Sequence, residues 1–406
     1  MLALDPLLDD LSLEAVLLVL LKVIVIFVIG LVATMLMVWF ERKAIAGMQN
    51  RIGPNKAGPW GILQTLADGI KLFFKEDLIP DKSDRFVFKL APYLSFVPAF
   101  LVWSVIPLGG DFSGGKTGEV VWGEHVTRFQ LADPAIGVLL LLALSAIGVY
   151  GIMLAGWSSG SKYPLLGSVR ASAQMVSYEA ALGLSLAAVI LVSGTLSTSG
   201  IVFDQSSLSQ WHVVSTAFVP FVIFLIAATA ELNRPPFDLV EAEQELVGGF
   251  NTEYSSIRFA LFFLAEFMNT VTMSAVIVTL FFGGPQPLKI NGNDNILAFL
   301  GPFSGTVWFF LKLMVFLYVY VWLRGTLPRL RYDQLMNLGW KVLIPIALGW
   351  FMLLALLRLG TDRGWTRAHK TAVGLAALLV LVAAGALLNL ATKVSARNRE
   401  REGAMF

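Results

Sequence analysis

The residues best suited to chemistry crowd into one short connection. Glu231, Asp238, Glu241, Glu243 and Glu245 set five carboxylates around a single guanidinium, Arg234. Apolar runs of membrane length flank them, roughly 212–229 before and 257–282 after. A dense acidic cluster pressed against hydrocarbon is costly unless it is buried in protein, wet or paired. Pro235-Pro236 stops the preceding helix and can start the next. Asp238, Glu241 and Glu245 then fall at i, i+3 and i+7 on one face of a short helix, with Glu243 opposite. Acids on one face repel, and Arg234, four residues before Asp238, offsets part of that charge. Two readings follow. One is a solvated acidic turn. The other is a hydrated acidic funnel that ties a cytoplasmic ligand site to carboxylates inside the membrane.

Further ionisable residues lie within apolar runs. Glu179 sits in the fourth and Glu266 in the sixth. An ionisable group near the bilayer centre costs on the order of 2.5–3.5 kcal/mol on insertion scales. Each is either a neutral carboxyl hydrogen-bonded to a neighbouring helix or a member of a proton relay, which Tyr178 would extend. Lys22 lies near the end of the first run and can snorkel. Lys312 lies deep in the seventh and is expected to pair with a carboxylate. Glu41-Arg42-Lys43, followed by Arg51, closes the first run. Basic residues there serve as membrane anchors, but anchoring needs no acid. The alternative pairs Glu41 with a base and leaves another cation for a polar ligand headgroup.

These residues need a scaffold, and composition says which. The chain has 406 residues, 56% hydrophobic and 14% charged, with mean hydropathy +0.73. A soluble domain carries about 25% charged residues, so repeated apolar runs of 18 or more identify an all-α polytopic membrane protein. With no cysteine, this chain ligates no iron–sulfur cluster and forms no disulfide. The histidines, His125, His212 and His369, are scattered at run ends, which argues against haem or zinc. Electrons for any redox step must come from another subunit. Met1 to Asp10 is acidic rather than basic, so the first run is expected to remain as a helix rather than be cleaved.

Nine spans are predicted, at about 13–39, 87–108, 134–156, 172–193, 212–230, 257–282, 303–323, 339–358 and 371–392. Lys and Arg concentrate in the connections 40–86 and 324–338 and are sparse in 109–133, 194–211 and 283–302. The positive-inside rule therefore puts the N-terminus outside and the acidic connection in the cytoplasm. The basic stretch 358–370 disagrees with that count. The ninth span reads as an appended anchor before a charged cytoplasmic tail. Between Trp60 and Glu76 the polar residues Gln64, Asp68, Lys71 and Lys75 occupy one helical face, and Ile62, Leu66, Ile70 and Phe73 another. Such a helix lies along the membrane interface.

Several of these stretches together resemble a known family. They are Glu41-Arg42-Lys43 with Gln49 to Asn55; Gly61 to Glu76; Gly156 to Tyr163, leading to Arg170-Ala171, Ala173-Gln174 and Ser177-Tyr178-Glu179; Pro236 to Leu239 with Glu241, Glu243, Glu245-Leu246 and Gly249-Phe250; and Glu253-Tyr254-Ser255 through Phe259 to Glu266. The chain is similar over about residues 13–358 to the H family of membrane subunits of bacterial NADH–quinone oxidoreductase, respiratory complex I, and to their mitochondrial equivalent. The resemblance implies an eight-helix core, with 359–406 an addition. It implies a membrane channel by which a quinone, menaquinone or ubiquinone, reaches an iron–sulfur cluster held by a peripheral partner. By matching motif, Glu41, Arg42, Lys43, Arg51 and Asp68 would line or brace that channel, with Phe237 and Asp238 in a mobile loop beside it. Glu179, Glu231, Arg234, Glu241, Glu243, Glu245 and Glu266 would begin a charged path toward antiporter-like and small membrane subunits. The third span has no carboxylate, so a relay crossing it would need water or Tyr150. The expected location is the cell inner membrane. The rival readings are a membrane anchor of a related hydrogenase or deazaflavin-linked dehydrogenase, and a stand-alone ion transporter. Against the last, the sequence has no inverted repeat.

Overall fold

The computed structural model describes residues 7, 12–112, 116–122, 125–238, 247–288 and 297–366, with scattered positions from 369 to 394. Glu241, Glu243 and Glu245 lie outside the described residues, as does most of the expected ninth span. Helices dominate: α1 (Leu13–Met48), α2 (Gln64–Phe74), α3 (Arg85–Trp103), α4 (Gly137–Ser158), α5 (Lys162–Ser193), α6 (Val219–Glu231), α7 (Ser256–Phe281), α8 (Ser304–Thr326) and α9 (Tyr332–Asp362). Among the described residues seven helices, α1, α3, α4, α5, α7, α8 and α9, are long and apolar enough to cross a membrane, and α6 is a shorter apolar helix. The only described sheet is a hairpin, β1 (Glu119–Trp122) and β2 (His125–Arg128), paired antiparallel with Trp122 opposite His125.

Helix α7 is the axis of the bundle. Nearly all of it from Thr270 onward is buried, whereas α1 turns Leu17, Leu20, Leu21 and Ile24 outward. An apolar helix exposed in this way has its complement in lipid.

Two elements depart from the predicted spans. The run 212–230 is not one helix. A single turn, His212–Ser215, ends where Ala217 and Phe218 adopt positive φ of 56° and 68°, and α6 starts afresh at Val219-Pro220. Proline has no N–H and is tolerated only in a helix's first turn, so Pro220 dictates the break. The 13 residues of α6 span about 20 Å, short of a hydrocarbon core of about 30 Å. The Thr216 carbonyl freed there accepts from Trp350 Nε1 at 3.0 Å. In α9 the last span contains a π-helical turn, Leu338–Leu343. It packs Gly339 on the Tyr178 ring. The amphipathic stretch forms α2 as expected, preceded by a 3-10 turn at Pro59–Gly61, and no residue of α2 is buried. Its Leu66, Ile70, Phe73 and Phe74 remain exposed, as a helix lying on an interface requires.

The connections gather at two ends. At one, Asp84 N–H donates to Ser158 O, Leu78 N–H to Ser255 Oγ, and Leu330 N–H to Pro236 O. At the other, Leu108 N–H donates to Phe129 O, Gln130 Nε2 to Val105 O, and Val138 N–H to Leu196 O. Lys312 belongs to this second end, and its described partners are not carboxylates. Its ammonium donates to the carbonyls of Phe282, Gly284 and Gln286 at 2.8, 2.9 and 2.7 Å. The C-terminus of α7 leaves carbonyls without intrahelical donors, which together make a negative site.

Close helix approach at the first end depends on small residues. A Cβ on Gly156 would stand 2.3 Å from Pro164 O and 2.4 Å from Ser168 Cβ. Gly156→Ala is therefore expected to force α4 from α5 and cost about 1–3 kcal/mol. A lowered thermal midpoint of the purified assembly is the measurement, and an unchanged one would contradict this packing.

Candidate functional site

The end of the bundle that holds Glu41 carries a compact set of four charges from four elements. Glu41, on α1, is 5% exposed and Arg234, just past α6, also 5%. Arg234 Nη1 donates to Glu41 Oε2 at 2.6 Å. Its Nε stands 3.2 Å from Glu266 Oε1 on α7, and its guanidinium lies 4.3 Å above the Phe267 ring. Arg324 on α8 pairs with the other oxygen of Glu41. Two cations and two carboxylates thus offset one another. That matters because a buried ion stripped of its partner costs roughly 3–5 kcal/mol. The partners of Glu41 are neither Arg42, Lys43 nor Arg51, the bases beside it in sequence, but two arginines from distant helices.

A cavity of about 640 Å³ opens beside this cluster. Glu41, Arg42, Arg51 and Arg324 supply its polar wall, and Val38, Ile45, Ile52, Phe263 and Phe267 its apolar wall. Arg42 also pairs with Asp68 at 2.6 Å, and Gln64 donates to the same carboxylate at 3.2 Å, so α2 is tied to the end of α1. Burial opposes the charge on Asp68, but the hydrogen bonds from Arg42 and Gln64 and the charges of Arg42 and Lys71 hold its carboxyl below the ordinary value. Lys43 donates to Pro54 O at 3.1 Å, and Arg51 to Gln49 Oε1 at 2.7 Å. Both hold the turn 49–54 that roofs the cavity.

A second, smaller cavity of about 60 Å³ lies inward, between α3, α4, α6 and α7. Its polar lining includes Glu231, Glu266, Asn269, Asn233, Ser95 and Ser145. Glu231 Oε1 accepts from the Ser145 hydroxyl. Its Oε2 is buried with no hydrogen-bond partner among the described residues. A polar void of this size has room for several waters, which would supply the missing bond. Glu179 on α5 is close enough to Glu231 for their charges to interact. From α4 the polar contact is therefore Ser145. Tyr150 is 61% exposed and contributes nothing to this cavity.

The segment 230–238 is clamped from beneath. Gln174 Nε2 on α5 lies 2.7 Å from Ala230 O, 2.8 Å from Phe237 O and 3.1 Å from Asn233 Oδ1. Phe237 is buried against the Tyr178 ring, 5.5 Å between centroids. Tyr178 in turn donates its hydroxyl to Leu335 O of α9. Neither Phe237 nor Asp238 lines the larger cavity.

Residues 21–355 match the NADH dehydrogenase family. The chain belongs to that family. It is 50% identical over 389 residues, 94% of this chain and 83% of the relative, to the H subunit of NADH-quinone oxidoreductase of Frankia casuarinae. Relatives of the same name from Frankia alni and Streptomyces avermitilis are 53% and 49% identical, over 87% and 84% of this chain and 76% and 73% of theirs. The match agrees with the resemblance carried by the sequence motifs.

In this NADH dehydrogenase family chain, the structure brings Glu41, Arg42, Arg51, Arg234 and Glu266 around one cavity and its wall, and Glu231 and Glu179 beyond it. Sequence reasoning missed Arg324, Ser145 and the clamp role of Gln174. Arg324 has the signature of any basic residue at the end of a membrane-length helix, and a single serine in an apolar helix carries no signal.

Gln174→Leu strands the Phe237 carbonyl and removes the side-chain bond to Ala230 O, at roughly 1–3 kcal/mol, and should lower thermal stability and speed proteolysis within 231–250. The lowered pKa of Asp68 means that its contribution to holding α2 is complete above the ordinary value of 3.8. It fades as pH falls through the lower folded value. Asp68→Asn should loosen α2 at neutral pH, read as faster cleavage within 55–63; equal cleavage rates in variant and parent would contradict this.

Proposed function

We propose that this chain is the quinone-binding membrane subunit of a proton-pumping NADH–quinone oxidoreductase. The observation that carries this is the 640 Å³ cavity, whose two walls match the two halves of a membrane quinone. Apolar Val38, Ile45, Ile52 and Phe263 suit a ring and isoprenoid tail, and Arg42, Arg51 and Arg324 suit its oxygens. Binding pockets pair an apolar lining with a few placed polar groups in this way. The exposed apolar face of α2 sits at the membrane surface, where a lipid-borne substrate enters. The relatives named as NADH-quinone oxidoreductase subunits support the assignment.

Reduction of a quinone takes two electrons and two protons. Without cysteine, this chain relies on a peripheral iron–sulfur subunit to deliver the electrons. The chain's own residues bind and orient the headgroup and answer its change of charge. Negative charge arising near Arg42 and Arg324 competes with Glu41 for its cations. Glu41 is linked through Arg234 to Glu266, and from there the inner cavity leads to Glu231 and Glu179. On this reading Glu241, Glu243 and Glu245, which lie outside the described residues, belong to the same acidic funnel as Asp238. The path continues into antiporter-like and small membrane subunits. Residues 1–358 form this quinone-channel unit, N-terminus outside, and 359–406 an added anchor in the cell inner membrane. The quinone is menaquinone or ubiquinone.

Glu266→Gln is expected to impair NADH–quinone turnover or lower the number of protons moved per NADH in inverted membranes. An unchanged rate with an unchanged ratio would overturn the role of Glu266.

A further inference from the structure

The two cavities approach each other at α7, where the neighbouring residues Phe267 and Glu266 line the larger and the smaller. Glu41 and Phe267 line the larger, and Glu266 and Asn233 the smaller. Arg234 lines neither, yet bonds one carboxylate of each and covers the Phe267 ring. Its hydrogen bonding is uneven. Nη1 donates to Glu41 at 2.6 Å. Nε is 3.2 Å from Glu266 but out of hydrogen-bond alignment, and Nη2 is buried with no hydrogen-bond partner among the described residues. A guanidinium has five N–H donors and stays charged at any working pH. It therefore moves by changing partners, not by losing a proton.

Resting on the quinone-site reading, we infer that Arg234 is a positioning residue that serves as a movable ionic partition between the quinone cavity and the inner polar cavity. In the state seen here it leans on Glu41 and closes the passage. A proton arriving at the Glu41 carboxylate from water in the larger cavity removes that anchor. The guanidinium then aligns on Glu266 through the N–H groups it leaves unused here. The wall beside Phe267 opens, and protons pass between the cavities. Arg234 thus sets whether chemistry in the larger cavity is coupled to the carboxylates beyond, while making no contact with the reacting atoms.

The test uses the assembled complex in inverted membrane vesicles and reads protons moved per NADH oxidised. Arg234→Lys keeps one charge but cannot reach both carboxylates in the same geometry. Phe267→Leu keeps all four charges and removes the surface the guanidinium rests on. Glu41→Gln mimics the neutral carboxyl. The ratio is expected to fall to about half or less in Arg234→Lys and by a smaller factor in Phe267→Leu. Arg234→Lys added to Glu41→Gln should give no further loss, because both act on one step. A residue with only a structural role would lower turnover and pumping in proportion, leaving the ratio intact. An unchanged ratio in Phe267→Leu and Glu41→Gln overturns the partition even if Arg234→Lys does not assemble. The quinone reading is checked separately by Ile45→Phe, which narrows the larger cavity. A quinone KM that does not rise with it rejects the site. A KM that rises while the ratios hold rejects the partition alone.

Discussion

The pairing of Arg234 with Glu41 is the constraint on which this end of the molecule depends. It joins residues 193 positions apart in the chain and fixes α1 against the start of the acidic connection. Neither charge is tolerable in that setting alone, because both are withdrawn from water. Arg324 and Glu266 complete the neutralisation, so α1, α8, α7 and the end of α6 meet at one point. The larger cavity opens beside this meeting point.

The far end is built on a different principle. There Gln130 donates to Val105 O, Ala132 O and Thr198 Oγ1, and Lys312 collects three carbonyls. These bonds satisfy main chain that has left its helices. They tie the chain after α3, the 130–132 connection and Thr198 together, and α8 to the segment after α7.

Between the ends, polar groups follow a line that the apolar core would otherwise forbid. Ser145, Asn269 and the carboxylates of Glu231 and Glu266 are admitted because they line the inner cavity, and Gln174 because it meets the carbonyls of Ala230 and Phe237. The clamp by Gln174 and Tyr178 reaches from the 230–238 segment to α9, where Gly339 in the π-helical turn rests on the tyrosine ring. The connection next to the carboxylates is thereby held from two sides, which orients Arg234.

By itself the sequence determined that this chain crosses a membrane repeatedly, that α2 is an amphipathic helix, and that acids are concentrated near 231–245. It also carried enough ordered motif to point to the family. Those properties are local: an apolar run, a helical repeat of polar residues and a block of charges survive whatever the rest of the chain does. Pro220 also carried the break before α6, although a window of hydrophobicity passes over a single residue. Only the tertiary structure decided which charges meet. Glu41 has three bases within ten residues and pairs with none of them, taking Arg234 and Arg324 instead. Among the described residues Lys312 met carbonyls rather than an acid, and Ser145 rather than Tyr150 supplied the polar contact of α4. Each of these is set by helix rotation and distance in space, which burial and packing fix for all the helices together and no single stretch encodes.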